Sequence, residues 1–332
     1  MKITVGLLVV LIIAAFITGC TDNTESGSTW FEKGTALSEE GNYIEALAAF
    51  EKAVEISPDN AQAWNKKGEA HFYLGNTDAA LESFDKAVKL DPGFAKAWSN
   101  KGIGHYVIGE TGEAMEAYNR SIEVDPSCAE PWNHIGIVYH SQGRYNESIA
   151  AYDTAIKLNP DYADPWNNKG TSFYWQEKFA DALIAYEKSL EINPEYADAW
   201  TNKGLALNKL EQYKEAADSF NRSLEFEQNN PLSWTGLGIS YENQNRFEEA
   251  LDTYDTALRM DPGYSYAWIN KGKSLFELGR FNESLEAFTK AKELNYDYPD
   301  LWTGLGNTLE KLGEHEKAKE ALGKIRVMED AA

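Results

Sequence analysis

The chain has 332 residues, 43% hydrophobic and 25% charged, a globular rather than a disordered composition. Its 53 acidic against 31 basic side chains leave a net charge of −22, which excludes a nucleic-acid binder and charge-driven adhesion to an anionic membrane, since both need a basic surface. Two cysteines exclude a disulfide framework and a cysteine-rich metal centre, while ten tryptophans are an unusually high count.

At the N-terminus, Met1-Lys2 supplies one positive charge and Ile3 to Thr18 an apolar run of 16 residues. That is short of the roughly 20 residues that span a bilayer comfortably, and it has the form of a secretory signal. The run ends Ile17-Thr18-Gly19-Cys20. This resembles the lipobox of prokaryotic lipoproteins. The resemblance implies a signal peptide over residues 1–19 and acylation of Cys20. The mature chain is then a lipid-anchored protein of the cell membrane, facing outside the cytoplasm. An uncleaved signal anchor would place it on the same side. Residues 20–26 are the lipidated cysteine and a small, polar, flexible tether.

From there on the chain is periodic. Tryptophan recurs every 34 residues at 30, 64, 98, 132, 166, 200, 234, 268 and 302, and only Trp175 is out of register. With tryptophan at position 4, glycine occupies position 8 (Gly34 to Gly306), alanine or serine position 20 and an aromatic position 24 in eight units, while proline closes six units. Helical spacing puts positions 4, 8 and 11 on one face of a first helix and positions 20, 24 and 27 on one face of a second. Small residues at 8, 20 and 27 allow close approach, and the bulky rings fill the gaps. Glycine or a polar residue near position 15 makes the turn, as at Gly41, Gly75, Gly109 and Gly143. A single hairpin of this kind cannot bury its apolar face, so neighbours must stack.

This pattern resembles the tetratricopeptide repeat (TPR) family over residues 27–332. The resemblance implies an all-α fold, a right-handed α-solenoid of nine helix-turn-helix units spanning 27–60, 61–94, 95–128, 129–162, 163–196, 197–230, 231–264, 265–298 and 299–332. Length alone points to about two domains at roughly 150 residues each; the period replaces them with a single array. Position 7, usually leucine in the family, is lysine in six units, from Lys33 to Lys271, with a stem that covers apolar surface and an ammonium that reaches water or an acid on a neighbouring repeat. Pro231 and Pro299 stand in for missing closing prolines, and the polar last helix reads as its own cap, favouring a monomer.

The family holds peptides on the concave face lined by first helices, and positions 2, 6, 9 and 13 share that face here. Asn100, Asn168, Asn202 and Asn270 occupy position 6, with His134 in the same row. Such a row offers an amide ladder to an extended backbone; the alternative is that asparagine helps start or solvate the helix, or bonds to the adjacent repeat. Trp175 at position 13, with Tyr174, Tyr73 and Tyr106 at positions 12 or 13, supplies candidate aromatic anchors, whereas Phe72 and Phe276 are expected to pack between helices. Aromatic residues at position 34, such as Tyr162 and Tyr196, are expected to pack across repeat junctions. The family's carboxylate-clamp pattern is absent, and net acidity favours a basic or neutral partner.

No catalytic constellation emerges. Gly236-Leu237-Gly238 lies within a helix pattern and is no phosphate loop. His71 and His105 replace core aromatics, and Cys128 lacks the surroundings of a nucleophile. Four Asn-x-Ser sequons, at Asn119, Asn146, Asn221 and Asn282, are close to chance frequency. The expectation is a non-catalytic scaffold that binds a protein or extended peptide, with no metal, no small-molecule cofactor and no nucleic acid. The alternative is a carbohydrate-binding or envelope-polymer accessory protein using the same aromatics.

Overall fold

The computed structural model describes residues 26–294 and 298–329, with side chains to residue 325, so the proposed signal peptide and Cys20 lie outside the described residues. The first four hairpins pair α1 (Gly27–Glu39) with α2 (Tyr43–Ile56), α3 (Ala61–Tyr73) with α4 (Thr77–Leu90), α5 (Ala95–Val107) with α6 (Thr111–Val124), and α7 (Glu130–Ser141) with α8 (Tyr145–Leu158). The next three pair α9 (Ala163–Trp175) with α10 (Phe179–Ile192), α11 (Ala197–Lys209) with α12 (Tyr213–Phe226), and α13 (Pro231–Glu242) with α14 (Phe247–Met260). The last two pair α15 (Ser265–Glu277) with α16 (Phe281–Glu293), and α17 (Pro299–Lys311) with α18 (His315–Glu329). There is no strand among the described residues. The fold is an all-helical solenoid of nine hairpins. It divides into two compact units, one ending at Gly104 and the other beginning at His105, within α5.

The helix boundaries follow from local chemistry. Asn60 and Asn230 cap α3 and α13 by accepting from the backbone N–H of Ala63 (3.0 Å) and Ser233 (3.1 Å). Pro231 and Pro299 are the first residues of α13 and α17; they open these helices rather than close the preceding ones, because a first-turn residue needs no N–H partner. The turn inside each hairpin passes through a left-handed residue: Gly41, Gly75, Gly109, Gly143, Gly279 and Gly313, and in the fifth to seventh hairpins Glu177, Glu211 and Asn245.

The core is a column of second-helix aromatics. Phe50, Tyr118, Tyr152, Tyr186, Phe220, Tyr254 and Phe288 are all at most 1% exposed. All of these except Tyr118 are seen packed against the position-8 glycine of their own hairpin: a Cβ at Gly136 would fall 2.3 Å from the Tyr152 ring. The position-4 tryptophans are mostly half-buried instead, and several tie the first helix to the preceding loop. The indole Nε1–H of Trp64, Trp98, Trp200 and Trp268 donates to the carbonyl of Pro58, Pro92, Pro194 and Pro262 at 2.8–3.0 Å.

A lysine clasp joins successive hairpins. In the first unit Lys101 Nζ lies 2.6 Å from Asp85; in the second, Lys169, Lys203 and Lys271 lie 2.6, 3.0 and 2.5 Å from Asp153, Glu187 and Asp255. Each acid sits at position 25 of the repeat before the lysine. The same ammonium groups stand 5.3–5.4 Å above the rings of Trp98, Trp166, Trp200 and Trp268.

Candidate protein-binding face

The asparagine row is built into the seams between repeats. In the first unit Asn100 is 7% exposed, and its Nδ2 donates to Asn65 Oδ1 and Glu69 Oε1, each at 2.9 Å. In the second unit Asn168 donates to Asn133 Oδ1 (3.1 Å) and Asn202 to Asn167 Oδ1 (3.0 Å). Position 6 of one repeat thus bonds to position 5 of the repeat before it. Asn270, 4% exposed, donates to the Tyr266 carbonyl of its own helix (2.8 Å). Asn168 and Asn202 are only half-buried, and each amide carries a second Nδ2 hydrogen. His134, also half-buried, stacks on the core ring of Tyr118, with centroids 5.3 Å apart. The receiving residues Asn65, Asn133 and Asn167 escaped the sequence reading, although asparagine at position 5 precedes each of those position-6 asparagines by 35 residues.

The aromatic candidates separate into exposed and supporting residues. Trp175 is 60% exposed at the end of α9. Tyr174 beside it is half-buried, with its ring edge-on to Phe179 at 5.3 Å. Burial, and then the nearby phenol of Tyr266, push the Tyr174 hydroxyl above its ordinary pKa. Tyr266, at position 2 of the eighth repeat and 41% exposed, is thus within electrostatic range of Tyr174 of the fifth. No local pattern pointed to Tyr266. In the first unit Tyr73, 63% exposed, stacks on Tyr43 at 4.4 Å. Tyr106 is half-buried. Phe276 packs against Phe281 at 5.4 Å.

Carboxylates line the same face in the second unit. Position 2 is Glu130, Asp164 and Asp198 in three successive repeats. Burial, and then the charge of the nearby Asp164 carboxylate, push the hydroxyls of Tyr162 and Tyr196 above their ordinary pKa. The carboxyl of Asp198 is pushed above its ordinary pKa by burial and by the like charges of Glu227 and Asp164. A cation placed there would relieve that repulsion.

Chemistry of the catalytic kind finds little support. The Cys128 thiol donates to Glu130 Oε2, and burial together with that carboxylate pushes its pKa up to about 11, the reverse of an activated nucleophile. Among the described residues no cluster of three metal-ligating side chains occurs. The four sequon asparagines are exposed, but the serines two residues on, Ser121, Ser148, Ser223 and Ser284, are fully buried at core positions 20 or 27. The sequons arise where serine replaces alanine in the packed stripe.

Consecutive helical hairpins with a shared small-residue stripe and a polar, aromatic first-helix face define a helical-repeat protein of the interaction-scaffold class. The family models agree: TPR repeat models match residues 105–143 and 138–176, and tetratricopeptide repeat models match 31–95, 163–196, 197–230, 235–299 and 269–324. The chain belongs to the tetratricopeptide repeat family. No curated protein matches it. Among solved structures it is similar to a chain of the APC/C hetero-tetramer Cut9–Hcn1, with TM-score 0.66 and 19% identity over 76% of this chain, and it spans half the length of that one. It is also similar to YrrB, described as a TPR protein with an unusual peptide-binding site, with TM-score 0.46, 23% identity, and coverage of 56% of this chain and 96% of that one. A third similarity is to MamA, with TM-score 0.43, 25% identity, and coverage of 52% of this chain and 93% of that one. Proteins of this family are generally non-catalytic scaffolds.

Proposed function

We propose that the chain is a non-catalytic scaffold that holds an extended, basic segment of a protein partner along the first-helix face of its second unit. The observation that carries this reading is Trp175, a large ring 60% exposed on that face in an otherwise well-packed array. A rigid aromatic with a polar edge is a typical anchor residue. Glu130, Asp164 and Asp198 supply negative charge along the same face, and Tyr266 lies within electrostatic range of Tyr174. Asn168 and Asn202 offer their second N–H to the partner's backbone, while buried Asn270 supports the face from within. His134 completes the position-6 row. At the start of this unit Tyr106 extends the aromatic contacts. The partner reads as protein and not nucleic acid, for the chain carries a net charge of −22.

We also infer that the scaffold is held on the outer side of a cell membrane by a lipid on Cys20. The support is in the sequence: an apolar run too short for a comfortable span, ending in small residues before a cysteine. Among the described residues no helix is long and apolar enough to cross a membrane.

The test of the binding reading is capture of partners from native membranes by the mature chain and by Trp175→Ala. Trp175 is mostly exposed, so the variant should melt close to the parent. It should lose retained partner about tenfold or more, as expected for an interface anchor. Lysine- and arginine-rich peptides on an array should bind, and their acidic counterparts should not. Unchanged capture by Trp175→Ala, or binding to glycans instead of peptides, would sink the proposal. Cys20→Ser should release the protein from the membrane fraction, and an unmodified Met1 in mass spectra would contradict the lipoprotein reading.

A further inference from the structure

The last repeat junction departs from the others in a way that creates a cavity on the second-helix side, away from the face described above. Position 25 and the following position 7 change together along the chain. Where the first is acidic, the second is lysine, as in Asp153 and Lys169 or Asp255 and Lys271. Where the first is Asn119, Asn221 or Thr289, the second is Ile135, Leu237 or Leu305. At the first two apolar junctions position 28 is also apolar, Ile122 or Leu224, and helps to fill the seam. At the junction between the eighth and ninth repeats position 28 is Lys292, a side chain that is exposed.

The result is a cavity of about 500 Å³ among α16, α17 and α18. That volume is in the range of small-molecule sites. Its floor is Trp302, Leu305 and Leu309, all less than a tenth exposed, backed by Leu285. Its mouth carries Lys292, Lys317 and Lys324 together with the carboxylates of Glu314 and Glu320, three cations against two anions. The counterparts of Lys317 and Lys324 at the other two apolar junctions are Glu147 and Thr154, and Glu249 and Thr256. Lys317 is paired with Glu314. Lys292 stands over the Trp302 ring at 5.6 Å, and Lys324 makes no ion pair with any described residue. Two ammonium groups without a carboxylate partner thus stand at the rim of an apolar cavity in a chain whose net charge is −22.

We infer that this cavity is a binding site for a small amphipathic anion, an acyl-type apolar body ending in a carboxylate. The apolar part would displace water from Trp302, Leu305 and Leu309, and the carboxylate would sit between Lys292 and Lys324.

Dodecanoate is a suitable probe, titrated calorimetrically into the whole chain below its micellar concentration, with dodecanol and dodecyltrimethylammonium as controls. Saturable binding of one dodecanoate is expected, with weaker binding of the two controls. The double variant Thr289→Asp/Leu305→Lys reproduces the Asp255–Lys271 clasp that already folds elsewhere in the same chain. It should close the cavity and weaken dodecanoate by at least about tenfold. Lys292→Ala/Lys324→Ala changes exposed side chains only, keeps the floor, and should abolish the preference for dodecanoate over dodecanol; it carries the test if the first variant does not fold. Absence of saturable binding to the unaltered chain, equal binding to the clasped variant, or equal binding of the cationic control would each overturn the inference.

Discussion

Individual residues in this array are held to their repeat position by steric and electrostatic demands that can be tested one at a time. The hairpin turn needs a left-handed residue, and six hairpins use glycine there, whereas Glu177 and Glu211 sit at φ 58° and 61°. A side chain with a Cβ is strained in that region, and asparagine, as at Asn245, is better tolerated than glutamate. Glu177→Gly and Glu211→Gly are therefore expected to raise stability by about 1 kcal/mol each, read as a higher urea midpoint at unchanged slope. Glu242 poses a different problem. Its carboxylate accepts from Tyr254 Oη (3.0 Å) and Ser274 Oγ (2.7 Å). Burial nevertheless raises its pKa above the ordinary 4.5. A carboxyl raised by folding contributes its full stability below the unfolded value and loses it as pH rises through the folded one. Glu242→Gln keeps an acceptor for both hydroxyls and removes the buried charge. It should be more stable than the parent at pH 7, and the gain should vanish below about pH 4. A gain that persisted in acid would show that charge is not the cause.

At the scale of the helix, the lysine clasp is the contact that distinguishes this array from a leucine-seamed one. Lys169 is 17% exposed in its side chain and Asp153 53%, so the pair is partly screened by water. Such pairs are worth roughly 0.2–1 kcal/mol, with a similar amount from the ring beneath the ammonium. Asp153→Asn alone leaves a half-buried ammonium without its carboxylate, and Lys169→Leu alone leaves a carboxylate facing an apolar side chain. Each should cost roughly 0.5 kcal/mol. The double variant recreates the Asn221–Leu237 junction already present in the chain and should recover most of the loss, with a coupling that shrinks in high salt. Strict additivity of the two single changes would show that the clasp is not a unit. The helices themselves were legible in the sequence because turns and the glycine–aromatic contact are made within one 34-residue unit, and the caps come from the residue just before it. The clasp was half legible: a lysine in reach of a neighbouring acid could be expected, but not which acid. The candidate site was less legible still. Position 6 could be read as a row of amides, yet the acceptors at position 5 lie on another repeat. Tyr266 is within electrostatic range of Tyr174, and no spacing along the chain encodes that.

For the whole molecule, a solenoid is stabilised by its repeats and by the junctions between neighbours, so a unit can be removed if the new junction is complementary. Deleting residues 163–196, one complete repeat, would join the fourth repeat to the sixth. Asn133 would then meet Asn202 in place of Asn168, and Asp153 would meet Lys203 in place of Lys169. Both new pairs repeat contacts the parent already makes, so the shortened chain is expected to keep its helical signal per residue and a cooperative unfolding transition. Deleting residues 129–162 instead removes the same length but sets Asn119 opposite Lys169, a lysine with no acid to receive it. That chain should unfold at the lower urea concentration of the two. The first deletion also removes Trp175, Tyr174 and Asp164, so it should fold well and yet fail to hold the partner. The second keeps all three on an array of equal length. If the less stable deletion retains the partner and the more stable one loses it, binding follows the fifth repeat and not the integrity of the fold. If both lose it to the same degree, the partner is held by the extent of the array, and Trp175 is not its anchor.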